Sequence, residues 1–350
     1  MAAPVGLMSL ATAVPPHAVL QTDAMEIARG LFAGRYEEFE RLSTVFANTG
    51  IRSRCLARPL EWYLEPRGWP ERTAAYLETA EALFIEAAGA ALARAGLTGA
   101  EVDTIVTVSS TGIATPSLEA RVLTDMGFRK DVARVPVFGL GCAGGVSGLS
   151  LAARLARADP GTVVLFVTIE LCTLAFRLDE LTKANVVATA LFGDGAAACV
   201  LRAGESSGFV VEGAGEHTWP STLDIMGWNV DPQGFGVIFA QAIPPFVRRR
   251  LGPAADDILS RLGLERADVG RFVCHPGGAK VLVALEGALG LGQGALDVER
   301  EVLADFGNMS APTVLFVLER VLRQPTPGRL FLSSLGPGFT ASGLALKKAA

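Results

Sequence analysis

The sequence is poor in the residues from which disulfide frameworks and structural metal sites are built. Its 350 residues include only five cysteines and three histidines, and no two cysteines form a C-x-x-C pair. An odd number of widely spaced thiols argues against a disulfide framework and against a zinc site. We therefore expect reduced cysteines, no metal and a cytoplasmic protein.

Basic residues and long apolar runs are also scarce. Lysine and arginine number 31 against 36 acidic residues, a net charge of −5, which argues against binding to nucleic acid or to an anionic membrane surface. The longest apolar run, VVLFVTIELCTLAF from Val163, contains Glu170 and is too short to cross a bilayer. The N-terminus lacks a basic start and contains Pro15-Pro16, so we expect a strand and a turn rather than a signal peptide.

The sequence does contain a large apolar fraction, arranged as alternating strands and helices. Half of the residues are hydrophobic, and the alternation of Val/Ile/Leu-rich with Ala/Leu-rich segments predicts an α/β fold. The helix end, turn and strand at residues 97–106 recur at residues 264–273, and a helix and strand are predicted both from Cys142 and from Asn308. This repeat predicts two similar αβ halves, residues 1–205 and 206–350, whose strand ends meet at one central site.

The stretch VFGLGCAGGVSG places Cys142 among glycines, between a predicted strand and a predicted helix. Gly139, Gly141 and Gly144 fit the G-x-G-x-x-G pattern of dinucleotide-binding loops, with Glu170 as the acidic partner, although such loops usually open a domain. The alternative is a nucleophile at a sharp turn, where glycines allow a substrate to approach and the helix dipole favours the thiolate. We favour the nucleophile and expect a lowered thiol pKa.

A reactive thiol needs a partner, and His275 is the best placed of the three histidines. It follows a strand predicted at residues 271–274 and precedes Pro-Gly-Gly, whereas His17 and His217 lie in a predicted turn and a predicted loop. The carboxyl ends of strands are where α/β sheets bind ligands. Asn308 is the counterpart of Cys142 in the second half, and it is either a helix N-cap or an amide donor at the central site.

Cysteine, histidine and asparagine together fit two kinds of catalysis. In a papain-like hydrolase the asparagine orients the histidine, but the doubled, glycine-rich α/β pattern differs from that fold. In acyl transfer with carbon–carbon bond formation, histidine and asparagine donate hydrogen bonds to an enolate oxygen, each contributing on the order of 3 kcal/mol. A non-catalytic binding protein is a further alternative, although all three reactive side chains are present.

Five motifs, in this order, resemble those of type III polyketide synthases related to chalcone and stilbene synthases, which are thiolase-fold condensing enzymes. They are GCAGG around Cys142, ALFGDGAA from Ala190, HPGG from His275, GNMS from Gly307 and GPG from Gly336. The resemblance extends over nearly the whole chain. It implies an αβαβα layering of the two halves, a homodimer, and an acyltransferase that uses CoA thioesters and binds no cofactor.

The resemblance also implies a role for each motif. Cys142 takes an acyl starter from an acyl-CoA, malonyl-CoA loses CO2, and His275 and Asn308 stabilise the enolate that attacks the Cys142 thioester. Repeated extension and cyclisation then give an alkylpyrone, an alkylresorcinol or a related aromatic product. The implied substrate-binding residues are Phe192 as the gate between CoA tunnel and cavity, Val237 as a second gate position, Thr115, Cys172, Ala175 and Ser310 in the cavity wall, and Arg41 for CoA.

The sequence departs from the plant members of this family at the implied CoA site. Plant relatives have three basic residues in an early helix, of which only Arg41 keeps its charge, while Thr44 and Asn48 occupy the other positions. The segment ELCTL around Cys172 is more similar to bacterial alkylresorcinol and alkylpyrone synthases, which favours a fatty acyl-CoA starter.

Two other activities remain as alternatives. A ketoacyl-carrier-protein synthase III would perform a single condensation, but those enzymes have Gln-Ala-Asn after the histidine, where this chain has Pro-Gly-Gly after His275. A nucleotide-dependent oxidoreductase is the more remote alternative and rests on the glycine pattern alone.

Overall fold

The computed structural model describes residues 3–205 and 207–349, which form alternating strands and helices as the apolar pattern predicts. The strands are β1 Val5–Ala13, β2 His17–Leu20, β3 Ser53–Leu56, β4 Thr104–Val108, β5 Ala133–Val137, β6 Val163–Leu171, β7 Asp194–Ala203, β8 Phe209–Thr218, β9 Met226–Asp231, β10 Gly234–Phe239, β11 Arg271–Cys274, β12 Arg329–Gly336 and β13 Thr340–Lys348. The helices are α1 Gln21–Phe32, α2 Phe39–Asn48, α3 Trp69–Arg94, α4 Leu118–Arg121, α5 Gly144–Ala158, α6 Lys183–Leu191, α7 Ile243–Arg261, α8 Ala279–Leu289, α9 Asp297–Phe306 and α10 Thr313–Leu322.

Nine strands form one mixed sheet in the order β11-β12-β13-β8-β1-β7-β6-β4-β5. The two halves of the sheet can be compared strand by strand, starting from the central pair β8 and β1. In one half the order outward is β8, β13, β12, β11, and in the other half it is β1, β7, β6, β4. On each side the two inner pairings are antiparallel and the next is parallel. The two halves of the sheet therefore repeat one topology. The division of the chain after residue 205 stays a prediction, because Ser206 lies outside the described residues.

Helices α5 and α10 lie between the two halves of the sheet. Helix α5 contacts β4, β6 and β7 on one side and β8, β12 and β13 on the other, and α10 contacts β1 and β7 as well as β11 and β12. On the outer faces, α3 packs against β1, β6 and β7, while α7 packs against β8 and β13. The layers are thus helix, sheet, helix, sheet and helix, which confirms the expected αβαβα arrangement.

Small residues allow the central layer to pack at backbone distance. A Cβ atom built on Gly145 in α5 would lie 2.2 Å from the carbonyl oxygen of Ala311, in the segment that leads into α10. Strand β6 beside it is buried along its whole length, as expected of a central strand covered on both faces. The glycines after Cys142 therefore serve close packing of the central helices as well as the turn itself.

The two predicted helix starts differ from the structure. Cys142 lies in a single 3-10 turn, Gly141–Ala143, directly before α5. The expectation that Asn308 starts a helix is wrong, because α10 begins at Thr313 and Asn308 forms a parallel bridge with Phe192 in extended backbone.

The structure also relocates two of the histidines. His17 lies in strand β2 and His217 in strand β8, rather than in a turn and a loop. Cross-strand pairing determines both positions, since His17 pairs with Leu56 and His217 with Ala341.

We expect Gly145→Ala to destabilise the protein by about 1–3 kcal/mol, the usual cost of overpacking a core. Gly30→Ala is the matched control, since Gly30 lies in helix α1 and a Cβ there meets no atom within 4 Å; it should be neutral or stabilising by up to about 1 kcal/mol. Urea denaturation of both variants measures the difference. Equal stability of the two would contradict backbone-distance packing at Gly145.

Candidate active site

Cys142 and His275 line two adjacent interior cavities. The first, here called the thiol cavity, has in its wall Cys142, Cys172, Phe192, Trp228, Val237 and Ser310. The second, the imidazole cavity, has in its wall His275, Gly277, Asn308, Ser333, Ser334 and Phe339. Met226 and Phe239 belong to both walls, so the three predicted reactive side chains line two neighbouring cavities that share wall residues.

The turn that carries Cys142 is fixed from two sides. Gly139 and Gly141 have φ angles of 92° and 48°, a region that favours glycine. Their N–H groups donate to Oγ of Ser110 at 3.1 and 3.2 Å. On the other side, a Cβ on Gly141 would lie 2.6 Å from Pro337. The turn thereby presents Cys142, which is only 6% exposed, directly before α5.

Ser310 connects the thiol to the asparagine. Its side chain hydrogen-bonds with the Cys142 thiol, and its backbone N–H donates to Oδ1 of Asn308 at 2.8 Å. Nδ2 of Asn308 donates in turn to the carbonyl oxygen of Gly277 at 3.3 Å, two residues after His275. A chain of short contacts therefore runs from the sulfur to the loop of the imidazole.

Burial reverses the expected ionisation of the thiol. Desolvation raises the pKa of Cys142 to about 11, the hydrogen bond from Ser310 acts in the opposite direction, and the charge of Glu170 raises the pKa further. The expected lowered pKa is therefore wrong. One 3-10 turn and the start of a helix compensate only part of the cost of placing a charge in an enclosed cavity.

His275 is a neutral imidazole with unused hydrogen-bonding capacity. Its backbone N–H donates to the carbonyl oxygen of Ser333 at 2.8 Å, which fixes the residue at the end of β11. Burial lowers the pKa of its ring to about 4. Among residues 3–205 and 207–349, neither ring nitrogen finds a hydrogen-bond partner. Buried polar atoms are normally paired, so these two nitrogens are available to a ligand in the cavity.

The LFGDG motif holds Asn308 in place. The N–H of Asn308 donates to the carbonyl oxygen of Leu191 at 2.9 Å, and its own carbonyl accepts the N–H of Gly193 at 3.0 Å. Asp194 is buried and accepts hydrogen bonds from the N–H groups of Ala57 and Thr173, at 2.6 and 2.8 Å. This motif is therefore a scaffold for the asparagine and for the gate position Phe192.

Glu170 lies inside the site rather than at a nucleotide. Its carboxylate accepts hydrogen bonds from the N–H of Ser110 at 3.0 and 3.1 Å and from Oγ1 of Thr111 at 2.8 Å. Burial raises its pKa to about 8. Because the carboxylate is enclosed beside Ser110 and Thr111, both of which line the thiol cavity, it has no access to a dinucleotide ribose.

A solvent-facing cleft of about 690 Å³ adjoins the imidazole cavity, with which it shares Phe239, Gly277 and Val281. Its wall contains Arg41, Thr44 and Asn48, as the resemblance implied, and also two lysines that sequence reasoning missed, Lys183 and Lys280. Lys280 directly follows the HPGGA segment and could have been noticed there. Lys183 belongs to no recognisable sequence motif. It shares the wall of the cleft with Arg41 only because of the tertiary structure.

An apolar pocket, here called the side pocket, lies behind the thiol cavity. Cys172, Phe192 and Val237 line both spaces, whereas Ala175 lines the side pocket. The helix residues Ile27 and Leu31 close it on the far side. Phe192 thus borders the thiol cavity and the side pocket but is not among the residues that line the cleft, so its role as the gate between CoA tunnel and cavity stays a prediction, and Ala175 lines the side pocket.

The predicted cavity role of Thr115 is not matched by its position. Thr115 is exposed, and the cis bond to Pro116 lies in a surface segment after β4. The neighbouring Ile113 is 55% exposed, in the segment that follows β4. The cavity role of Thr115 therefore stays a prediction.

Two further features concern metals and membranes. Over the described ranges 3–205 and 207–349, no group of three or more His, Cys, Asp or Glu side chains is arranged to hold a metal ion. Within the same ranges no helix is at once long enough and apolar enough to cross a membrane.

Comparison with known proteins places this architecture in a family. The model of the N-terminal domain of chalcone and stilbene synthases matches residues 67–205, and that of their C-terminal domain matches residues 211–349. A 1,3,6,8-tetrahydroxynaphthalene synthase of Streptomyces peucetius subsp. caesius is 41% identical over 344 residues, covering 96% of this chain and 91% of the relative. The chain therefore belongs to the chalcone and stilbene synthase family.

Solved structures agree with that assignment. The 1,3,6,8-tetrahydroxynaphthalene synthase of Streptomyces coelicolor A3(2), a bacterial type III polyketide synthase, superposes with a TM-score of 0.92 at 28% identity and covers 98% of this chain and 99% of its own. CsyB, solved as a complex with CoA-SH, gives a TM-score of 0.89 at 26% identity, covering 98% and 100%. The chain is accordingly a type III polyketide synthase, a decarboxylative condensing acyltransferase. This selects the polyketide branch over the synthase III and oxidoreductase alternatives.

The groups around the sulfur predict opposite effects of two substitutions on alkylation of Cys142 by iodoacetamide. Ser310→Ala removes a hydrogen bond that lowers the thiol pKa, so alkylation should slow about tenfold, the effect of about 1.4 kcal/mol. Glu170→Gln removes a charge that raises the thiol pKa, so alkylation should accelerate, but only above the Glu170 pKa of about 8, where that carboxyl is ionised.

Rates at pH 6.5 and pH 9.5 test both signs, with Cys142→Ala as the background. Slower alkylation of Glu170→Gln at pH 9.5 would show that the carboxyl does not oppose ionisation of the thiol.

Proposed function

We propose that Cys142 carries the growing acyl chain while His275 and Asn308 stabilise the enolate of malonyl-CoA. The observation that supports this best is the pair of buried, unpartnered ring nitrogens of His275 beside the Asn308 amide. A neutral imidazole and a carboxamide both offer N–H donors, and neither brings a charge that would need compensation. Donors held in place before the reaction stabilise developing negative charge most effectively.

The steps follow from this placement. The Cys142 sulfur attacks the acyl-CoA carbonyl, the new C–S bond replaces the bond to CoA, and His275 transfers the thiol proton to the departing CoA sulfur. Malonyl-CoA then loses CO2, and the electron pair of the broken C–C bond forms an enolate at the His275 and Asn308 donors. Attack of the enolate carbon on the Cys142 thioester forms the new C–C bond and releases the sulfur. Repetition and ring closure give an aromatic or pyrone product.

CoA thioesters would enter through the cleft. Its mouth is cationic from two directions, with Arg41 on α2 and with Lys183 and Lys280 at the starts of α6 and α8. Arg41 is partly neutralised by Glu38 at 2.9 Å, and its side chain is 72% exposed. We infer that Lys183 and Lys280 hold the CoA phosphates. They would take over from the two basic residues of plant relatives, at whose positions this chain has Thr44 and Asn48.

The side pocket favours an acyl-CoA starter with an apolar chain. Its wall contains aliphatic and aromatic side chains of α1 and of residues 60–64, with Arg54, Thr173, Asn185 and Thr189 as its polar members. Cys172 and Val237, which also line the thiol cavity, are of modest size. A starter bound to Cys142 would extend its tail past Phe192 into this space. The product would then be an alkylpyrone or alkylresorcinol rather than an unsubstituted ring.

We also propose that the chain divides into two similar halves, residues 1–205 and 206–350. We further propose that the protein is a cytoplasmic homodimer. Strand β5 ends the nine-stranded sheet, and Phe138 directly after it is 55% exposed, as is Ile113 beside β4. Exposed apolar residues beside an unpaired strand edge are typical of an interface. A second copy of β5 would cover them.

Radiolabelled malonyl-CoA separates the three catalytic roles. His275→Ala and Asn308→Ala should each lower CO2 release by about 10²–10³-fold, since each removes an enolate donor. Cys142→Ala should still release CO2 but form no product, because no acyl chain is attached. His217→Ala, a histidine in β8 outside the cavities, is the control.

The same assay is then run with acyl-CoA starters of increasing length, and mass spectrometry gives the masses of the products. A protein that joins only one malonyl unit to any starter would refute the iterative reaction.

Lys183→Ala and Lys280→Ala should each raise KM for malonyl-CoA about fivefold to tenfold and leave kcat unchanged, since phosphate contacts are the same in ground and transition states. Lys130→Ala, an exposed lysine away from the cleft, should change neither constant. Added salt should weaken binding to the wild type more than to the double variant. A fall in kcat without a change in KM would rule out phosphate binding by these lysines.

A further inference from the structure

A second surface cleft, here called the outer cleft, adjoins the side pocket. It has a volume of about 530 Å³, and the wall residues that it shares with the side pocket are Leu31, Tyr63, Leu64 and Phe176. It shares no wall residue with the cationic cleft proposed for CoA. The side pocket therefore borders both the thiol cavity and a surface cleft that the proposed CoA path does not use.

Positive charge exceeds negative charge in the wall of the outer cleft. The charged residues of this wall are Arg35, Arg67, Arg72, Glu65 and Asp179. Both carboxylates are already in ion pairs, Glu65 with Arg67 at 2.8 Å and Asp179 with Arg177, which lies outside the wall. Among the residues that the structure describes, Arg35 and Arg72 form no ion pair and donate to backbone carbonyl oxygens instead.

Arg72 is half-buried and keeps part of its guanidinium unused. Nη1 donates to the carbonyl oxygen of Leu174 and Nε to that of Arg67 at 3.0 Å, whereas Nη2 donates to no residue within 3–205 and 207–349. Desolvation lowers the pKa of Arg72, the charge of Arg177 lowers it further, and the charge of Asp179 acts in the opposite direction. A bound anion would offset both of the effects that oppose the charge.

The outer cleft and the side pocket together match a molecule with two different ends. A guanidinium presents its N–H donors in a planar fork that fits a carboxylate. The wall of the side pocket is largely aliphatic and aromatic, so it favours an alkyl chain. Inorganic phosphate would satisfy the arginines alone and leave the apolar space unused.

We propose that the outer cleft binds the carboxylate of a medium-chain alkyl acid at Arg72 and Arg35, with the alkyl chain in the side pocket. The use of the side pocket by an alkyl chain rests on the function proposed above. The same chemistry has two sources. One is a free fatty acid, which would exclude the starter from the side pocket, and the other is the terminal carboxylate of a starter whose thioester end is on Cys142.

Calorimetric titration with decanoate tests the site without any polyketide being made. Arg72→Gln should raise the Kd for decanoate about tenfold, since it removes a charged hydrogen-bond donor. Arg35→Gln should raise it about threefold, because the exposed Arg35 is screened by solvent. Arg154→Gln is the matched control: Arg154 is an exposed arginine of α5 outside the outer cleft, and its loss should leave the Kd unchanged.

Decan-1-ol separates recognition of the carboxylate from burial of the chain. It should bind the wild type about tenfold more weakly than decanoate does, and it should bind Arg72→Gln and the wild type equally. Arg35→Glu is the second variant, needed because the two hydrogen bonds of Arg72 to backbone carbonyls also support the fold. It should weaken decanoate more than Arg35→Gln does.

Kinetics with two series of acyl-CoA starters distinguish the sources. Starters that end in a carboxylate are compared with starters of equal length that end in a methyl group. If starters are the source, the carboxylate series has the higher kcat/KM at one length, and Arg72→Gln removes that preference. If the free acid is the source, decanoate competes with methyl-ended starters, and Arg72→Gln weakens this inhibition about tenfold.

Equal affinity of decanoate for the wild type, Arg72→Gln and Arg35→Glu would overturn the proposal, and so would equal affinity of the wild type for decanoate and decan-1-ol. A wild type that binds decanoate through Arg72 but forms no polyketide from any starter would refute the proposed function and support the carboxylate site.

Discussion

Backbone-distance packing around Cys142 is the constraint on which the rest of the site depends. A Cβ on Gly336 would lie 2.6 Å from the carbonyl oxygen of Leu140 and from the nitrogen of Ala143, and one on Gly145 would lie 2.2 Å from the carbonyl oxygen of Ala311. These contacts join the nucleophile turn of the first half to β12 and to the approach to α10 in the second. Larger side chains at Gly336 and Gly145 would push the two halves apart. The reactive side chains that the two halves contribute would then move apart as well.

The price of that closeness is a dehydrated site. Burial raises the pKa of the Cys142 thiol and lowers that of the His275 imidazole, which favours the neutral form of both groups. A neutral resting pair suits the proposed chemistry, because charge appears only when the acyl group is transferred or CO2 is lost. The fixed donors of His275 and Asn308 then face that charge inside an enclosed cavity.

The spaces around the reactive groups form a series. Wall residues are shared between the cationic cleft and the imidazole cavity, between the imidazole and thiol cavities, and between the thiol cavity and the side pocket. The β9–β10 hairpin borders the two middle spaces through Met226 and Phe239. A CoA thioester, an enolate and a growing chain can therefore each occupy a neighbouring compartment.

The sequence by itself determined the α/β class and the repeated topology of the two halves, and it pointed to Cys142, His275 and Asn308 as candidate reactive residues, because glycine-rich turns and strand-end motifs are local features. It also predicted strand β11 at Arg271–Cys274 to the residue. It misplaced the start of α10, since Asn308 is held by Leu191 and Gly193, residues more than a hundred positions away. Only the tertiary structure decided that Thr115 faces outward, that Lys183 and Lys280 line the cleft, and that burial raises the pKa of Cys142. Desolvation and cross-chain contacts depend on what surrounds a residue in space, and no local pattern records that.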